Sequence, residues 1–442
     1  MKKVYIETLG CQMNKADTEK LLGMLDYLGY EQVCEAKNEN SADLLIINTC
    51  SIRQLSEDKA FSKIGLWRKW KQKRPELKIV FCGCVAQQWG ENLFKRAPYV
   101  DLVMGTHNIN EFPDLVKQIE VDEKICANGE IPIPEGEFKV KRAKSVNAWI
   151  NITEGCDNFC TYCIVPYTRG RERSRVPEII IKEAKEALEE GFKEITLLGQ
   201  NVDSYGGKCG EKCSDWNLAK LLRELNKLEG KFRIRFVTSY PSDITDELID
   251  TVIECGKVCE YFHIPMQSGS SAVLKKMNRK YTREEYAKIV KKVREKVPNV
   301  TITSDFIAGF PGETKEQFEE TLSAIREFEL DYSNTAAYSP REQTIAAKWE
   351  ELFLSDEVKK ERLARLNEQN RINCLASNKK FIGQEMEVLI EKFEERKEKK
   401  VISGRTRNNK MVHIPYNKDL TGKFINVKIT DSKTWYLKGE II

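Results

Sequence analysis

Long apolar runs are missing from this sequence. No stretch approaches the roughly 20 apolar residues of a membrane-spanning helix, and the segment from Met1 to Glu7 lacks the apolar core of a signal peptide. The 442 residues, of which 41% are hydrophobic and 32% charged, are enough for two or three domains that each have a core. We therefore expect a soluble globular protein of the cytoplasm.

A disulfide framework is not expected either, although the chain has 14 cysteines. The cytoplasm keeps thiols reduced, so metal binding is the leading explanation for cysteines with an ordered spacing. Cysteines without such an order are interpreted as ordinary small residues, and these are Cys34, Cys126, Cys255, Cys259 and Cys374.

A fourth cysteine is missing from the loop Gly155–Cys163. Its cysteines, Cys156, Cys160 and Cys163, have the spacing C-x3-C-x2-C, which allows one short loop to hold three corners of an iron–sulfur cluster. The remaining iron is open, so it can chelate a small ligand and pass it an electron. A structural zinc site is the alternative, but such sites use four ligands, commonly in C-x2-C pairs.

Residues 1 to about 118 alternate between strand and helix patterns. The predicted elements are strands at Val4–Thr8, Leu44–Asn48 and Ile79–Phe81 and a helix at Ala16–Leu28. A cysteine follows each strand, namely Cys11, Cys50 and Cys84. Because parallel strands end at one edge of a sheet, these cysteines form a second candidate cluster site. Core thiols are the alternative, and Cys82, inside its strand, is a less favoured ligand than Cys84.

The pattern breaks over residues 119–143, which we interpret as a linker. From residue 144 to 377, six strand-and-helix units predict a partial barrel, whose chemistry lies at the carboxyl ends of the strands. The predicted strands are Val146–Ile152, Glu194–Leu198, Phe232–Thr238, Val258–His263, Val300–Phe306 and Tyr332–Tyr338. Polar residues follow several of these strands, and together they favour a binding pocket over ordinary caps and turns.

Every second residue from Arg169 to Arg175 is an arginine. In an extended segment these side chains share one face. That face can bind phosphates or a carboxylate bidentately. Alternatively, the arginines pair with nearby acids such as Glu172 or Glu178, and the sequence favours neither reading.

A basic segment of short strands ends the chain. An amphipathic helix from Ser355 to about Lys380 leads to it and is predicted to carry the chain away from the barrel. The predicted strands are Glu387–Glu391, Val401–Gly404, Met411–Ile414, Phe424–Ile429 and Leu437–Ile441. Residues 378–442 contain 15 Lys and Arg against 9 Asp and Glu, a net +6, so the rest of the chain sums to −2 of the total +4. A small basic β-barrel predicts RNA binding, with mere packing as the alternative.

The order of these parts resembles the methylthiotransferase family of radical S-adenosylmethionine (SAM) enzymes over nearly the whole chain. The segments that carry the resemblance are Gly10–Asn14, Asn48–Arg53, Gly83–Gln87, Pro166–Arg175, Gln267–Ser270 and Gly309–Thr314. Ser51-Ile52-Arg53, together with the arginine run, resembles the branch that makes 2-methylthio-N6-dimethylallyladenosine beside the tRNA anticodon. The chain departs from the family pattern at Tyr240, usually His, and at Gln343–Ile345, usually Gly-Thr-Pro.

The resemblance implies an α/β fold class with three folded parts. These are an N-terminal parallel α/β domain (residues 1–118), a central partial (β/α)6 barrel of radical SAM type (144–377) and a small C-terminal all-β barrel like the TRAM domain (378–442), with the linker at 119–143. It also implies two [4Fe-4S] clusters. Cys11, Cys50 and Cys84 would hold an auxiliary cluster, and Cys156, Cys160 and Cys163 the cluster that cleaves SAM.

The implied reaction is methylthiolation of C2 of N6-dimethylallyladenosine next to the anticodon, with two molecules of SAM. The expected partners are tRNA bearing dimethylallyladenosine, an electron-donor protein such as a flavodoxin or ferredoxin, and a sulfur or iron–sulfur supply system. The residues predicted to bind the cofactor are Tyr162, Gln200, Ser239, Gln267, Ile307 and Gly309.

Two alternatives differ in substrate or in class. A sibling enzyme would methylthiolate threonylcarbamoyladenosine in tRNA or an aspartate of a ribosomal protein, although Ser51-Ile52-Arg53 argues against both. A noncatalytic metal-containing RNA-binding protein would need the basic tail but no open iron.

Overall fold

The computed structural model describes residues 1–52, 54–121, 124–129, 139–206, 213, 215–396 and 399–442. The chain forms two compact units. The first comprises Met1–Lys144, Glu154–Asp157 and Cys163–Arg173, and the second comprises Ser145–Thr153, Asn158–Tyr162 and Ser174–Ile442. None of the described helices combines the length and the apolar content needed to cross a bilayer.

The first unit is built on a parallel sheet, as the run of apolar strands predicts. Its described strands are β1 (Lys3–Leu9), β2 (Glu31–Gln32), β3 (Leu44–Thr49), β4 (Lys78–Gly83), β5 (Leu102–Met104) and β6 (Ile125–Ala127). The order is β2-β1-β3-β4-β5-β6, with every described pair parallel. The order reverses between β1 and β3, so the sheet has its topological switch point there.

Helices cover both faces of this sheet, which explains why β3 and β4 are buried at every position. They are α1 (Gln12–Tyr27), α2 (Gln54–Lys71), α3 (Cys84–Trp89), α4 (Asn92–Arg96), α5 (Phe112–Glu120) and α6 (Val165–Thr168), with 3-10 turns at Ala36–Ser41 and Thr106–Glu111. Val80 packs in the core cluster of one face and Phe81 in that of the other, because successive residues of a strand point to opposite sides.

The strand β6 falls inside the segment that the sequence predicts to be a linker. It pairs with β5 along the edge of the sheet, from Ile125 opposite Leu102 to Ala127 opposite Met104. Residues 122, 123 and 130–138 of the predicted linker lie outside the described residues.

The second unit contains the partial barrel. Its parallel strands are β7 (Asn147–Asn151), β10 (Glu194–Leu198), β11 (Arg233–Phe236), β12 (Tyr261–His263), β13 (Thr301–Ala308) and β14 (Tyr332–Ala337), and a short ribbon joins β8 (Thr153–Glu154) and β9 (Arg173–Ser174). The strands form two described sheets, β7-β10-β11 and β12-β13-β14, and a parallel bridge between Ile234 and Val258 connects them. Six parallel strands in this order confirm the predicted fold class.

Helices surround these strands and close the core. They are α7 (Pro177–Glu189), α8 (Leu218–Asn226), α9 (Asp246–Glu254), α10 (Ser271–Lys276), α11 (Arg283–Lys296), α12 (Lys315–Glu327) and α13 (Asp356–Lys379), with 3-10 turns at Pro241–Asp243, Ala346–Lys348 and Glu350–Leu352. The start of α13 is capped by the Ser355 hydroxyl, as the sequence predicts. However, α13 does not lead away from the barrel. Its Leu366 lies in the barrel core, and its Asn370 is hydrogen bonded to both main-chain groups of Ser333 at 2.8 Å.

The C-terminal segment is a closed barrel, as predicted. Its described strands are β15 (Glu385–Arg396), β16 (Lys399–Thr406), β17 (Met411–Pro415), β18 (Phe424–Ser432) and β19 (Leu437–Ile441), in the order β15-β16-β17-β19-β18. Closure leaves no free sheet edge.

Two buried arginines of β11 hold this C-terminal barrel by its main chain. Arg233 donates to the carbonyl oxygens of Arg405 at 2.7 Å and Glu387 at 2.9 Å. Arg235 donates to the carbonyl oxygen of Thr406 at 2.7 Å. Because a guanidinium has several donors in a fixed plane, each arginine can bridge two carbonyl groups.

Candidate active site

The structure brings Cys11, Cys50 and Cys84 together at the carboxyl edge of the first sheet. Cys11 caps α1 directly after β1, Cys50 follows β3, and Cys84 is the first residue of α3. Gly83, which precedes Cys84, has φ of 92°, and a Cβ there would lie 2.4 Å from Asn48 Oδ1. A glycine is therefore required for the chain to turn from β4 into the cysteine.

The three thiols lie close enough to perturb one another, with Cys50 next to both Cys11 and Cys84. The interaction with Cys50, helped by the charge of Arg169, lowers the pKa of Cys11 to about 6 and that of Cys84 to about 7. The pKa of Cys50 itself is raised by its two thiol neighbours. The outer two positions therefore favour thiolates, the form that binds iron.

Two buried asparagines fix the main chain around these thiols. Asn14 Oδ1 accepts from the Cys11 amide at 3.2 Å and from its thiol at 3.3 Å. Asn14 Nδ2 donates to Asn48 Oδ1 at 3.1 Å and to the Thr49 carbonyl at 3.0 Å, next to Cys50. The network links the ends of β1 and β3 and so holds the first two cysteines in register.

Cys82 is placed differently from Cys84. It lies within β4 and packs with Val80 and Met104 in the core of the first unit. Its burial raises its pKa, which opposes the thiolate form. The arrangement agrees with the preference for Cys84, although no contact tests ligation itself.

A buried ion pair lies beside this group. Arg169 Nη2 is 2.6 Å from Asp17 Oδ2, with the two side chains 5% and 9% exposed. Arg169 follows α6, which packs against α3, the helix that begins at Cys84. The Thr106 hydroxyl donates to the carbonyl of Thr168 and fixes the residue before Arg169. A positive charge is thus held next to the thiols.

Two other arginines of the alternating run, Arg171 and Arg175, also pair with acids. Arg171 is 3.0 Å from Asp157, and Arg175 is 2.8 Å from Glu183. The structure therefore agrees better with arginines that pair with acids than with a free anion-binding face. The acids of these two pairs are Asp157 and Glu183, and the predicted ones were Glu172 and Glu178.

The loop with the C-x3-C-x2-C spacing is held at its start and in its middle. Near its start, Cys156 donates its amide to the Gly170 carbonyl at 3.2 Å. Gly155 has φ of 78°, and a Cβ there would lie 2.2 Å from the Arg171 carbonyl oxygen. Farther along, the Thr161 amide donates to the Met277 carbonyl at 3.1 Å. The loop conformation is thus fixed by main-chain contacts.

Each of the two donor sets consists of three cysteines, and thiolates are the ligands that iron–sulfur clusters take. A cluster is larger than one ion and takes thiolates at separate irons. Three soft sulfur donors in each set fit such a group, and they leave a coordination position for another ligand.

The residues predicted to bind the cofactor lie around the carboxyl ends of the barrel strands. Tyr162 packs edge-on against Phe310 at 6.5 Å between ring centroids, and Ile307 joins the same apolar cluster. The Gly309 amide donates to Glu313 Oε2 at 3.0 Å, and φ of Gly309 is 72°. This part of the rim combines an aromatic face with a sharply turned main chain.

The other predicted residues lie on the neighbouring strand ends. Gln200 follows β10. Gln267 accepts from the Ile307 amide at 3.0 Å, and its φ of 74° is unusual for a residue with a side chain. Ser239 donates its hydroxyl to Asp203 Oδ1 at 3.1 Å. Positive φ values at residues with a side chain, as at Gln267, cluster at functional sites, and this supports the rim as a binding surface.

Sequence reasoning missed three charged residues near these groups: Asp17, Asp203 and Arg279. Burial raises the pKa of Asp203 to about 8, so its carboxyl is mostly neutral at pH 7. Arg279 Nη1 lies 3.4 Å from Cys160 Sγ, although 119 positions separate them in the chain. No spacing rule connects such distant residues, so no signal in a single sequence could have identified them.

Three family models match the chain. The Radical SAM superfamily matches residues 150–325, Uncharacterized protein family UPF0004 matches residues 3–105, and the TRAM domain matches residues 379–442.

Relatives resemble the chain over its whole length. It is 47% identical to the tRNA-2-methylthio-N(6)-dimethylallyladenosine synthase of Thermoanaerobacter pseudethanolicus, over 99% of this chain and 92% of the relative. Proteins of the same name from Clostridium beijerinckii, at 44% identity, and Bacillus cytotoxicus, at 46%, cover 100% of this chain, and the alignments span 96% and 86% of those relatives.

A solved structure shares the fold. The radical S-adenosylmethionine methyltransferase TsrM from Kitasatospora setae, determined with cobalamin and a [4Fe-4S] cluster bound, aligns with a TM-score of 0.58. The alignment covers 78% of this chain and 77% of that chain at 14% identity, so the likeness concerns architecture alone.

Proposed function

This chain belongs to the family of tRNA-2-methylthio-N(6)-dimethylallyladenosine synthases, and we propose that it attaches a methylthio group to C2 of N6-dimethylallyladenosine next to the anticodon of tRNA. It is a radical SAM enzyme that uses two molecules of SAM and two [4Fe-4S] clusters. The observation that carries the proposal is the meeting of Cys11, Cys50 and Cys84 in a chain that has a separate C-x3-C-x2-C loop.

The six cysteines divide between the two clusters. Cys156, Cys160 and Cys163 hold the cluster that binds SAM, and Cys11, Cys50 and Cys84 hold the auxiliary cluster. When bound, these groups supply the radical and the sulfur that the unactivated C–H bond of adenine requires, which acid–base chemistry cannot provide. Asn14 and Asn48 hold the auxiliary thiols in position, and Arg169 offsets part of their negative charge.

The strand ends of the barrel hold SAM and the target base. Tyr162 offers an aromatic face, Ile307 and Gly309 line the adenine of SAM, and Gln200, Ser239 and Gln267 supply polar contacts. A base in an anticodon loop is unstacked more easily than one in a duplex, so it can enter such a rim.

The C-terminal barrel contributes the tRNA contact. Lys418, Lys423 and Lys428 are exposed on it, and lysines at such positions bind the phosphate backbone without regard to sequence. The match of the TRAM domain to residues 379–442 supports this assignment. We propose the bounds 144–377 for the partial barrel and 378–442 for the tail. The first domain, predicted at 1–118, extends past residue 118, because β6 pairs within its sheet.

The reaction also requires components that the chain lacks. An electron-donor protein such as a flavodoxin or ferredoxin reduces the cluster, and an iron–sulfur supply system delivers sulfur. Both belong to the cytoplasm, where we place this protein together with its tRNA substrate.

The test is mass spectrometry of nucleosides from dimethylallyl-modified tRNA. The tRNA is incubated without oxygen with the reconstituted protein, SAM, a reductant and sulfide. We expect the 2-methylthio nucleoside from the native protein and from Cys255→Ala, a core thiol that serves as a matched control. Cys50→Ala and Cys156→Ala should each abolish the product, and Cys50→Ala should still cleave SAM.

Two results would redirect the assignment. Cleavage of SAM without a methylthio product would point to threonylcarbamoyladenosine or a ribosomal protein as substrate. Absence of cleavage by protein that carries both clusters would favour a noncatalytic RNA-binding protein.

A further inference from the structure

The segment Lys276–Arg279, which begins at the last residue of α10, holds the middle of the cysteine loop. The Lys276 carbonyl accepts from the Thr161 hydroxyl at 3.0 Å. Asn278 Nδ2 donates to the carbonyl oxygens of Asn158 at 3.2 Å and Phe159 at 3.0 Å. With the bond between Thr161 and Met277, these contacts fix residues 158–161 on both sides of Cys160.

Arg279 is placed against the sulfur of Cys160. Its Nη1 lies 3.4 Å from Cys160 Sγ, within hydrogen-bonding distance for sulfur. Two further bonds fix the guanidinium, from Nη2 to the Pro265 carbonyl at 2.8 Å and from Nε to the Tyr281 hydroxyl at 2.7 Å. The direction of the Nη1 donor is therefore determined by the protein.

Two tyrosine rings flank the same guanidinium. Its central carbon lies 4.3 Å from the ring centroid of Tyr240 and 4.9 Å from that of Tyr281. Such rings attract a cation by their electron-rich faces and reduce its contact with water. Tyr240 is itself fixed, since its hydroxyl accepts from the Lys280 amide at 3.0 Å.

In the described part of the chain, the guanidinium of Arg279 donates hydrogen bonds to Pro265, Cys160 and Tyr281. None of these partners is a carboxylate. The carboxylate of Asp305, which feels this charge, is hydrogen bonded to Asn334 at 2.9 Å and His263 at 3.3 Å. A partly buried cation is stabilised by a nearby anion. The sulfur of Cys160 is the group that Arg279 Nη1 contacts, and as a cluster ligand this sulfur would carry negative charge.

We propose that Arg279 is a positioning residue that donates a hydrogen bond to the Cys160 thiolate and raises the reduction potential of the cluster held by the loop. The inference rests on the proposed function, because it assumes that Cys156, Cys160 and Cys163 bind a cluster. One-electron reduction adds negative charge to the cluster and its thiolates. Hydrogen bonds to the sulfurs and a nearby positive charge stabilise that reduced form.

The test measures the potential of this cluster alone. In the full-length Cys11→Ala/Cys50→Ala/Cys84→Ala background, the loop cluster is titrated with the one-electron reductant dithionite and followed by electron paramagnetic resonance. For Arg279→Gln we expect the ratio of reduced to oxidised cluster at a fixed solution potential to fall about tenfold, which corresponds to about 59 mV for a one-electron couple. Arg279→Lys keeps the charge but loses the planar fork, so its shift should be smaller.

Arg283→Gln is the matched control. Arg283 also lies near an aromatic ring, that of Phe328, and pairs with Glu327 at 2.5 Å. Its substitution should leave the potential unchanged.

Iron content distinguishes a failure of cluster binding from a failure of the role proposed for Arg279. If the background protein binds no iron, the assignment of the loop cysteines fails. If Arg279→Gln and Arg279→Lys bind iron like the parent and show the parent's potential, the role of Arg279 is refuted. Should Arg279→Gln lose its cluster, a loaded Arg279→Lys variant with an unshifted potential would refute it equally.

Discussion

The buried pair of Asp17 and Arg169 places opposite charges beside the thiols of Cys11 and Cys84. The two charges should act on the auxiliary cluster in opposite directions. Arg169→Gln should make the cluster harder to reduce, and Asp17→Asn should make it easier, because the reduced cluster is more negative. General damage to the fold would not give shifts of opposite sign.

The measurement is the midpoint potential of the auxiliary cluster in a Cys156→Ala/Cys160→Ala/Cys163→Ala background. Lys71→Gln is a suitable control, since Lys71 pairs with buried Asp101 just before β5, at the amino edge of the sheet. Shifts of the same sign in both test variants would contradict the prediction that the charges of Asp17 and Arg169 act on the cluster in opposite directions.

The raised pKa of Asp203 predicts a dependence of stability on pH. Burial holds the folded-state pKa at about 8, whereas the unfolded carboxyl titrates near 3.9. Between about pH 4 and 8 the folded protein therefore binds more protons, so stability falls as the pH rises, by up to about 1.4 kcal/mol per pH unit. Asp203→Asn should remove this slope.

Thermal unfolding midpoints at pH 5.5 and 7.5 would test the slope. Asp58→Asn, which changes an exposed carboxyl of α2, should behave like the native protein. Parallel curves for Asp203→Asn and the native chain would contradict a neutral buried carboxyl.

For individual residues, the sequence identifies the candidate cluster cysteines but does not identify the charged residues that lie next to them. Spacing alone marks Cys156, Cys160 and Cys163 as one group, and strand ends mark Cys11, Cys50 and Cys84 as another. Their charged neighbours come from distant segments and from no recurring pattern. Such contacts depend on side-chain directions, which only the folded chain determines.

Among the elements, long strands with strong apolar patterns were predicted nearly to the residue. The predicted Glu194–Leu198 is identical to β10, and the predicted Leu44–Asn48 ends one residue before β3 does. The strands β2, β5 and β6 were missed because two or three residues are too few to show a period. Pairing with a neighbouring strand, rather than local propensity, creates them.

The start of α13 was predicted correctly from the sequence, but its packing against the barrel was not. Its Asn370 side chain satisfies both the amide and the carbonyl of Ser333 at 2.8 Å in a buried position. Asn370→Ala leaves these groups without a partner, so we expect a loss of about 2–4 kcal/mol of stability.

Chemical denaturation of the two variants Asn370→Ala and Asn367→Ala would test this. Asn367 lies on the same helix and accepts from Thr335 of the same strand, but it is exposed. Equal midpoints for the two variants would show that burial does not set the cost.

For the whole molecule, the net charge of the tail can be counted from the sequence, but the pairing of its charged residues cannot. Part of the positive charge is paired within the second unit, as with Arg407 and Glu260 at 2.7 Å or Lys410 and Asp331 at 3.4 Å. Paired cations contribute less to the binding of an anion. The exposed lysines of the tail remain the best candidates for phosphate contacts.

The variant Lys423→Gln/Lys428→Gln should weaken tRNA binding and reduce the slope of log affinity against log salt by about 1–2 units. Lys433→Gln/Lys438→Gln removes the same charge, but both lysines lie within 3.3 Å of Asp431. We expect the second variant to bind more like the native protein. Filter binding at several salt concentrations measures both, and equal slopes would show that net charge alone matters.

The arginines of β11 hold the C-terminal barrel through carbonyl oxygens, which every amino acid possesses. These bonds depend on the course of the backbone and place no demand on the side chains of Arg405 and Thr406. The attachment does use the side chains of Glu387, Arg407 and Lys410, which pair with Arg233, Glu260 and Asp331. A barrel of the same fold that keeps these three residues could therefore carry a different exposed surface and still dock in the same way.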